Sequence, residues 1–418
     1  MNAYIITIGD ELLIGQTLNT NAAFIDEKLS EINIRIKKNT TVSDEESEIL
    51  FEFQTAWAVS DIVVVTGGLG PTHDDVTRKS VVNFFNTNLV KNEYVLEDIK
   101  SLFQKRGRKL TPVNEDQAMV PAIAEPIRNP LGTAPGIWIE KDKKYFAVMP
   151  GVPYEMMSMM ESFVVPKLES IKQNRDLIIR RKIIQTTGIP ESYLYERLGK
   201  IDELLDGAKL AFLPNQFGVK LRLTVEGTDE KSVIDKINAI EQKIRVKAGR
   251  YVFGSGDETL EEAVGRILSE RELTISTAES CTGGLVANML TNVSGSSKYF
   301  ERGVVCYSNA SKVEILKVDE DTIVKFGAVS QEVAMQMAEG VKSTSGASIG
   351  LSTTGIMGPT GATTGKPVGL VYIGYCDDKV CTAKKFTFGD DRILNKQRTA
   401  QAALDFVRRQ VLNITSDD

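Results

Sequence analysis

The sequence predicts an α/β protein built from more than one folding unit. Three observations carry this. Short β-branched runs such as "YIITIG" and "DIVVVTGG" stop at glycine, as buried parallel strands do. Stretches with helical spacing alternate with these runs at both ends of the chain. The length of 418 residues exceeds what a single core organises.

The first unit spans residues 1–170. "YIITIG" is its opening strand, "NTNAAFIDEKLSEI" a helix, and "SDEESEILFEFQTAW" a second helix opened by Ser43 and Glu46 as a capping-box pair. "DIVVVTGG" is the next strand, and the alternation runs on to "KYFAVMPGVPYEMMSMM", which predicts an α/β sandwich around a parallel sheet. A small α+β unit follows at 176–253, with the hairpin "KLAFLPNQFGVKLRLTVEG", the helix "SVIDKINAIEQKIRVKAG" and the short strand "YVF". "GSGDE" at 254–258 reads as a linker. A third α/β unit, 257–418, runs from "TLEEAVGRILSERE" to the amphipathic "QRTAQAALDFVRRQVL".

Composition narrows the chemistry. With 42% apolar and 25% charged residues the chain reads as globular, and a net charge of −6 argues against a nucleic-acid partner. No apolar run reaches membrane-spanning length, and "MNAYIITIGDELLIG" meets acids too early for a signal peptide. The four cysteines, Cys281, Cys306, Cys376 and Cys381, include no C-x-x-C pair, which suits reduced thiols and a cytoplasmic location. The single histidine, His73, excludes a zinc site with two histidines and leaves the C-terminal half without a Ser-His-Asp triad. Any metal is therefore a hard cation held by oxygens.

In the N-terminal unit, acids gather where strands end: Asp10 and Glu11, Asp44, and Asp74 with Asp75. Open parallel sheets bind ligands beyond the carboxyl ends of their strands. Gly67, Gly68 and Gly70 let the backbone approach a phosphate, and carboxylates beside a phosphate need a divalent cation between them. The same glycines also suit a tight turn, and the same acids suit helix caps. "TIGDELLIGQTLNTN", "TGGLGPTHDDVTRKS", "TPVNEDQAMVP", "NPLGTAPG" and "MPGVPYEM" together resemble the N-terminal domain of the CinA family, which is related to molybdopterin-binding proteins of the MogA/MoaB type. The resemblance implies an ADP-ribose pyrophosphatase, dependent on Mg, Mn or Co, giving AMP and ribose 5-phosphate. It implies Gly67, Gly68, Gly70 and Asp75 as nucleotide-binding residues and Asp10, Glu11, Asp44 and Asp74 as metal ligands. It further implies a homodimer, and some relatives bind pterin instead.

Residues 176–253 resemble the KH-like segment of the same family. A KH clamp grips RNA with a G-x-x-G loop. No pair of glycines in this segment has that spacing, so it reads as a spacer or interface domain, with RNA binding the lesser reading.

In the third unit, "LTISTAES" predicts a strand and "CTGGLVANMLTNV" a helix, which puts Ser280 at the elbow. One reading is a helix N-cap serine. The other is a nucleophile whose oxyanion is held by first-turn amides, kept open by Gly283 and Gly284. Cys281 is the rival nucleophile, although this domain has no histidine to lower its pKa. "RGVVCYSNASKVEIL" ends a strand at Tyr307, caps a helix with Ser308 or Asn309, and places Lys312 in the first turn. There the helix dipole and partial burial lower an amine pKa, as a general base requires. "TTGIMGPTGATTGKPVG" (353–369) is a glycine-rich loop, with Gly355 and Gly358 in its first half. It is not a P-loop, because Thr360 stands where the first glycine would fall. It suits a flexible turn or a ligand cradle.

"TAESCTGG", "GSSKYFERGVVCYSNASK", "GAVSQEVAMQMAEG", "TTGIMGPTG", "KPVGLVYIG" and "FGDDR" resemble the CinA C-terminal domain, the nicotinamide-nucleotide amidase family. The resemblance implies deamidation of nicotinamide mononucleotide without a metal. It makes Ser280 the nucleophile, Lys312 its base and Tyr307 an assisting hydroxyl. Cys281, Thr282, Gly283, Gly284, Gly355, Gly358 and Arg392 become substrate-binding, with Lys396 and Arg398 as alternative phosphate contacts. Two positions depart from the family pattern. Met357 replaces an alanine and is expected to narrow the pocket, and the second aspartate of "GDDR" blurs the arginine assignment. The family name also carries a non-enzymatic reading, a binding or regulatory partner in competence or the DNA-damage response.

Overall fold

A computed structural model describes residues 1–70, 76–171 and 178–414. The chain divides into two compact units, Met1–Ile179 and Arg180–Asp418.

The first unit is built on a six-stranded sheet. Its strands are β1 (Asn2–Ile8), β2 (Arg35–Val42), β3 (Ile62–Thr66), β4 (Glu125–Ile127), β5 (Gly136–Lys141) and β6 (Lys144–Met149), in the order β2-β1-β3-β6-β5-β4. β2, β1, β3 and β6 run parallel, whereas β5 and β4 are antiparallel. The predicted parallel sheet thus carries an antiparallel edge, because β5 and β6 are joined by a tight turn and no crossover helix separates them. Both faces are covered. Ala3 and Ile5 pack into one core with Ile25 and Trp138, while Tyr4, Ile6 and Ile8 pack into the other with Phe53 and Phe146. Burial on both faces explains why these strands read as continuous apolar runs.

Helix α1 (Thr20–Glu31) follows β1 and is capped by Asn19, whose side chain accepts from Ala22 N. Helix α2 (Glu46–Val59) does not use the predicted capping box. Its N-cap is Glu45, Ser43 Oγ donates to Glu48 at 2.5 Å, and Glu46 pairs with Lys79. Tertiary partners outcompeted the local cap. Helix α3 (Thr77–Phe85) comes next, and α4 (Pro153–Met159) starts at the proline that follows β6.

The second unit holds two sheets. β7 (Ile178–Thr186), β8 (Lys209–Asn215), β9 (Gly218–Gly227) and β10 (Val252–Ser255) form the KH-like sheet in the order β8-β9-β7-β10. Helices α5 (Glu191–Leu198) and α6 (Glu230–Ala248) accompany it. The β8–β9 hairpin forms as the sequence predicts, closed by Gln216 and Phe217.

The other sheet has five strands. They are β11 (Ile275–Glu279), β12 (Phe300–Val305), β13 (Ile349–Gly355), β14 (Leu370–Cys376) and β15 (Cys381–Thr387), in the order β12-β11-β13-β14-β15. Its helices are α7 (Leu260–Glu270), α8 (Leu285–Asn292), α9 (Asn309–Leu316), α10 (Gln331–Ser345) and α11 (Arg392–Val411). Helix α7 opens with a full capping box between Thr259 and Glu262. Residues 254–258 do not read as a free linker, since β10 runs through Ser255. Arg408 of α11 is almost wholly buried and donates to the carbonyls of Arg250 and Val252, joining the KH-like segment to the C-terminal sheet.

The cysteines depart from the expectation of reduced thiols. Cys376 and Cys381 face each other across the β14–β15 pair and are joined in a disulfide. Cys281 and Cys306 are free and buried. Among the described residues no helix is long and apolar enough to cross a membrane.

Candidate active site

The C-terminal elbow is built by β11 running out of its sheet. Ser280 N donates to Thr353 O at 2.9 Å, which anchors the turn to β13. Gly283 (φ +65°) and Gly284 (φ +95°) then take left-handed conformations that other residues adopt only under strain. Helix α8 begins at Leu285, so Ser280 precedes it by several residues and is not its N-cap.

The cap comes from the strand. Glu279, buried beneath the elbow, accepts from Gly284 N (2.9 Å), Val286 N (3.1 Å), Ala287 N (2.8 Å) and Thr282 Oγ1 (2.6 Å). This corrects the expectation that the first-turn amides of α8 hold an oxyanion, because a carboxylate already fills that position. The amides that remain beside Ser280 are those of Cys281, Thr282 and Gly283. Sequence reading missed Glu279, although an acid closing the strand directly before Ser280 was its visible signal.

Helix α9 delivers Lys312, the residue the sequence predicts as the base. Ser308 caps it by accepting from Ser311 N at 3.1 Å, and Lys312 points inward with only 1% of its surface exposed. Lys312 Nζ lies 3.1 Å from Ser280 Oγ, 3.0 Å from Cys306 O and 3.2 Å from Tyr307 O. Burial lowers the lysine pKa from its ordinary value. Nζ is placed as donor to Ser280 Oγ and to both carbonyls; a neutral amine would keep two N–H groups for the carbonyls and free its lone pair for the serine hydroxyl. The predicted pair is therefore brought together.

The rival nucleophile is not equipped. Cys281 packs into the apolar core, and burial pushes its thiol up to about 12. Thr282 is fully buried with its hydroxyl spent on Glu279 and Thr353 Oγ1, so its side chain and that of Cys281 turn away from any substrate. Both residues remain at the elbow through their backbone amides alone.

Around the mouth, Tyr307 is largely exposed and its hydroxyl accepts from Arg392 Nη2 at 3.1 Å. Arg392 Nη1 donates to Gly358 O at 3.0 Å, which places Gly358 and the glycine-rich loop beside the arginine. Asp391, the second aspartate of "GDDR", is the N-cap of α11 and accepts from Leu394 N, leaving Arg392 at the first helical position. Met357 turns into the apolar core with Cys281, so the expected narrowing of the pocket by its side chain does not occur. Gly355 ends β13 against Met357 and Val371. Lys396 Nζ comes within 3.4 Å of where a β-carbon on Gly283 would stand. Arg398 lines a separate cleft against the KH-like segment and is not part of this cluster. Lys366 spends its amine on the carbonyls of Phe326 and Val329, which straps down the loop.

The lysine pKa has a kinetic signature. If Lys312 is the base, it acts as the neutral amine, so turnover is expected to rise as pH passes upward through the lowered pKa and to be lost below it. Initial rates against pH are expected to show an acid limb well below the ~10.4 of a free lysine. A limb at the free-lysine value would mean that Lys312 is solvated during turnover.

In the first unit, the carboxyl ends of β3 and β6 border a cavity of about 330 Å³ lined by Gly68, Gly70, Gln117, Pro150, Gly151 and Glu155, among others. Gly67 and Gly68 have positive φ, and a β-carbon on either would meet Ile8 O at 2.1 Å or Thr77 Oγ1 at 2.2 Å. The loop therefore requires glycine for its own packing and also borders the cavity. Asp10 and Asp44 are brought together: Asp10 N donates to Asp44 Oδ2 at 3.0 Å and Asp44 N to Asp10 Oδ1 at 3.3 Å. Glu11 folds back over Gly9. Asp74 and Asp75 lie outside the described residues.

The hard oxygens of Asp10 and Asp44 fit a divalent cation in kind. Among the described residues, however, the one group of three Cys, His or acidic side chains with donor atoms mutually within 4.8 Å is Glu339, Cys376 and Cys381. Two of its members are already joined to each other. Sequence reading missed Gln117 and Glu155. Glu155 is buried and accepts from Asn129 Nδ2 at 2.6 Å, while Gln117 is 3% exposed with neither amide atom hydrogen-bonded. An unpaired buried amide at a cavity wall is costly and marks where a polar ligand edge would be welcome.

The fold and these two sites define a class: a three-domain α/β protein that joins a molybdopterin-binding-like domain and a KH-like domain to a Ser-Lys domain. Sequence comparison agrees, matching "Probable molybdopterin binding domain" over residues 4–170, "Damage-inducible protein CinA KH domain" over 181–254 and "CinA C-terminal domain" over 257–411. A CinA-like protein of Salinibacter ruber is 43% identical over 98% of this chain and 99% of its own length. One of Chloroherpeton thalassium is 43% identical over 99% of this chain and 100% of its own. A crystal structure of CinA from Thermoplasma acidophilum is 38% identical, covers 40% of this chain and 97% of its own, and has a TM-score of 0.37. The chain belongs to the CinA family.

Proposed function

We propose that the C-terminal domain is an amidase that converts nicotinamide mononucleotide to nicotinic acid mononucleotide and ammonia. The observation that carries this reading is the buried contact between Lys312 Nζ and Ser280 Oγ. Ser280 Oγ attacks the carboxamide carbon while neutral Lys312 takes the hydroxyl proton. The amides of Cys281, Thr282 and Gly283 hold the oxyanion. Lys312 returns the proton to the departing nitrogen, ammonia leaves, and the acyl-serine remains. A water molecule, deprotonated by Lys312, then attacks the ester and releases the acid. Arg392 and Lys396 supply positive charge for the phosphate, and Tyr307 is held at the mouth by Arg392.

For the N-terminal domain the reading is hydrolysis of ADP-ribose to AMP and ribose 5-phosphate, in the cavity bordered by Gly68, Gly70 and Glu155. Asp10 and Asp44, with Glu11 and Asp74 by family resemblance, would hold a divalent cation. Such an ion offsets the pyrophosphate charge beside the acids. The two activities, a cytoplasmic location and a homodimer form one coherent proposal, recovery of nucleotide pieces left by NAD breakdown.

One experiment tests both halves. Purified full-length protein is expected to release ammonia from nicotinamide mononucleotide with or without EDTA, and to cleave ADP-ribose only without it. Undiminished ADP-ribose cleavage after chelation would remove the metal reading. Absence of ammonia release would return the C-terminal domain to the binding or regulatory reading that the family name carries.

A further inference from the structure

The second unit contains a cleft of about 650 Å³ that is separate from the Ser280 elbow. One wall is the KH-like segment, at Gly188 and at the β8–β9 turn around Phe217. The other is the C-terminal domain, at Phe386 and Phe388 and along α11 at Arg398 and Asp405. The volume lies within the range of small-molecule sites.

The cleft is built. Its floor is an ion-paired network in which Asp405 accepts from Arg408 Nε at 2.8 Å and Arg409 Nε at 2.9 Å. All three side chains are about nine-tenths buried or more, and Arg408 ties the network to the carbonyls of Arg250 and Val252 in the KH-like segment. Phe386 and Phe388 are partly exposed and lie parallel, with centroids 5.8 Å apart and planes at 13°. Lys384 Nζ sits 5.6 Å from the Phe386 centroid. Arg398 is half-buried at the rim, and among the described residues it has no acceptor. On α11 it stands two residues, about 200°, around from Lys396, which faces the elbow.

We propose that this cleft is a second ligand site, for a small molecule that joins a flat aromatic ring to an anionic group, of the mononucleotide class. The ring lies against Phe386 and Phe388, and the anion meets the unpaired guanidinium of Arg398 with Lys384 near it. A single-stranded nucleic acid is the weaker occupant. The cleft is bounded, the KH-like segment has no G-x-x-G clamp, and the chain carries a net charge of −6. The site does not depend on either activity proposed above.

The test uses the full chain in EDTA with 1,N6-ethenoadenosine monophosphate as the probe, followed by fluorescence anisotropy and by hydrogen exchange. Probe binding is expected to protect residues 214–219 and 384–389. Arg398→Glu is expected to weaken binding at least about tenfold with an unchanged melting temperature, since a half-buried rim residue without a partner contributes little to the fold. Phe388→Leu should weaken it too, and ethenoadenosine without the phosphate should bind less tightly than the monophosphate. Protection confined to other segments, or wild-type affinity in Arg398→Glu, overturns the proposal. So does tighter binding of a short single-stranded RNA than of the mononucleotide with the same protection pattern.

Discussion

Replacing Ser280 with alanine is expected to lower ammonia release from nicotinamide mononucleotide by about a thousandfold or more, and Lys312→Met by a similar factor. The two residues act as one unit, so removing either loses the same function and removing both loses little more. The structure supplies the reason for the equality. Among the described residues, Lys312 Nζ is the amine in hydrogen-bond reach of Ser280 Oγ, and the domain has no histidine to substitute for it as a base. Lys312→Met leaves the carbonyls of Cys306 and Tyr307 without a donor, so a loss of stability accompanies it. Circular dichroism at the assay temperature separates that from lost catalysis. Cys281→Ala should retain most activity, because a thiol held near 12 in the core is not a nucleophile at neutral pH. An active Ser280→Ala beside an inactive Cys281→Ala would make the domain a thiol amidase.

Glu279→Ala is expected to be the most destabilising single change at this site. It leaves three backbone amides, Val286 N buried and Gly284 N and Ala287 N part-buried, without their acceptor, while the Thr282 hydroxyl keeps only Thr353 Oγ1. Unsatisfied buried donors cost about 1–3 kcal/mol apiece, and the total is less than additive because the turn relaxes. Glu279→Gln is the gentler probe. It preserves shape but replaces one accepting oxygen with an NH₂ group, which faces donors it cannot accept from. A loss of about 1.5–3 kcal/mol is expected for Gln, more for Ala, with turnover falling in both because the elbow amides beside Ser280 lose their support. Thermal unfolding of the two variants, read together with the rate constants, checks this. A Glu279→Gln protein with wild-type melting and turnover would mean that the α8 amides find other acceptors.

Much of this protein follows from local pattern. β1 and β3 end in glycine after apolar runs because both sheet faces are buried, and sequence shows that directly. The Ser280 elbow follows from a strand giving way to two glycines, and the α9 lysine from a serine cap four residues earlier. These signals are short-range, so no tertiary knowledge is needed to read them.

Other features depend on partners far along the chain. Ser43 and Glu46 have capping-box spacing, yet Glu46 pairs with Lys79 and the cap is lost. Cys376 and Cys381 meet because hairpin register sets them opposite, which a C-x-x-C search does not detect. Glu279 takes the α8 amides because a strand end and a helix start converge there, displacing the oxyanion from where spacing alone puts it. Arg392, Lys396 and Arg398 are interchangeable cations in sequence. The rotation of α11 sends the first two to the elbow and the third to the KH-like cleft. Residue type and spacing determined which chemistry was possible in this chain. Strand register and helix rotation, which sum contacts over hundreds of residues, decided which atoms came within reach of one another.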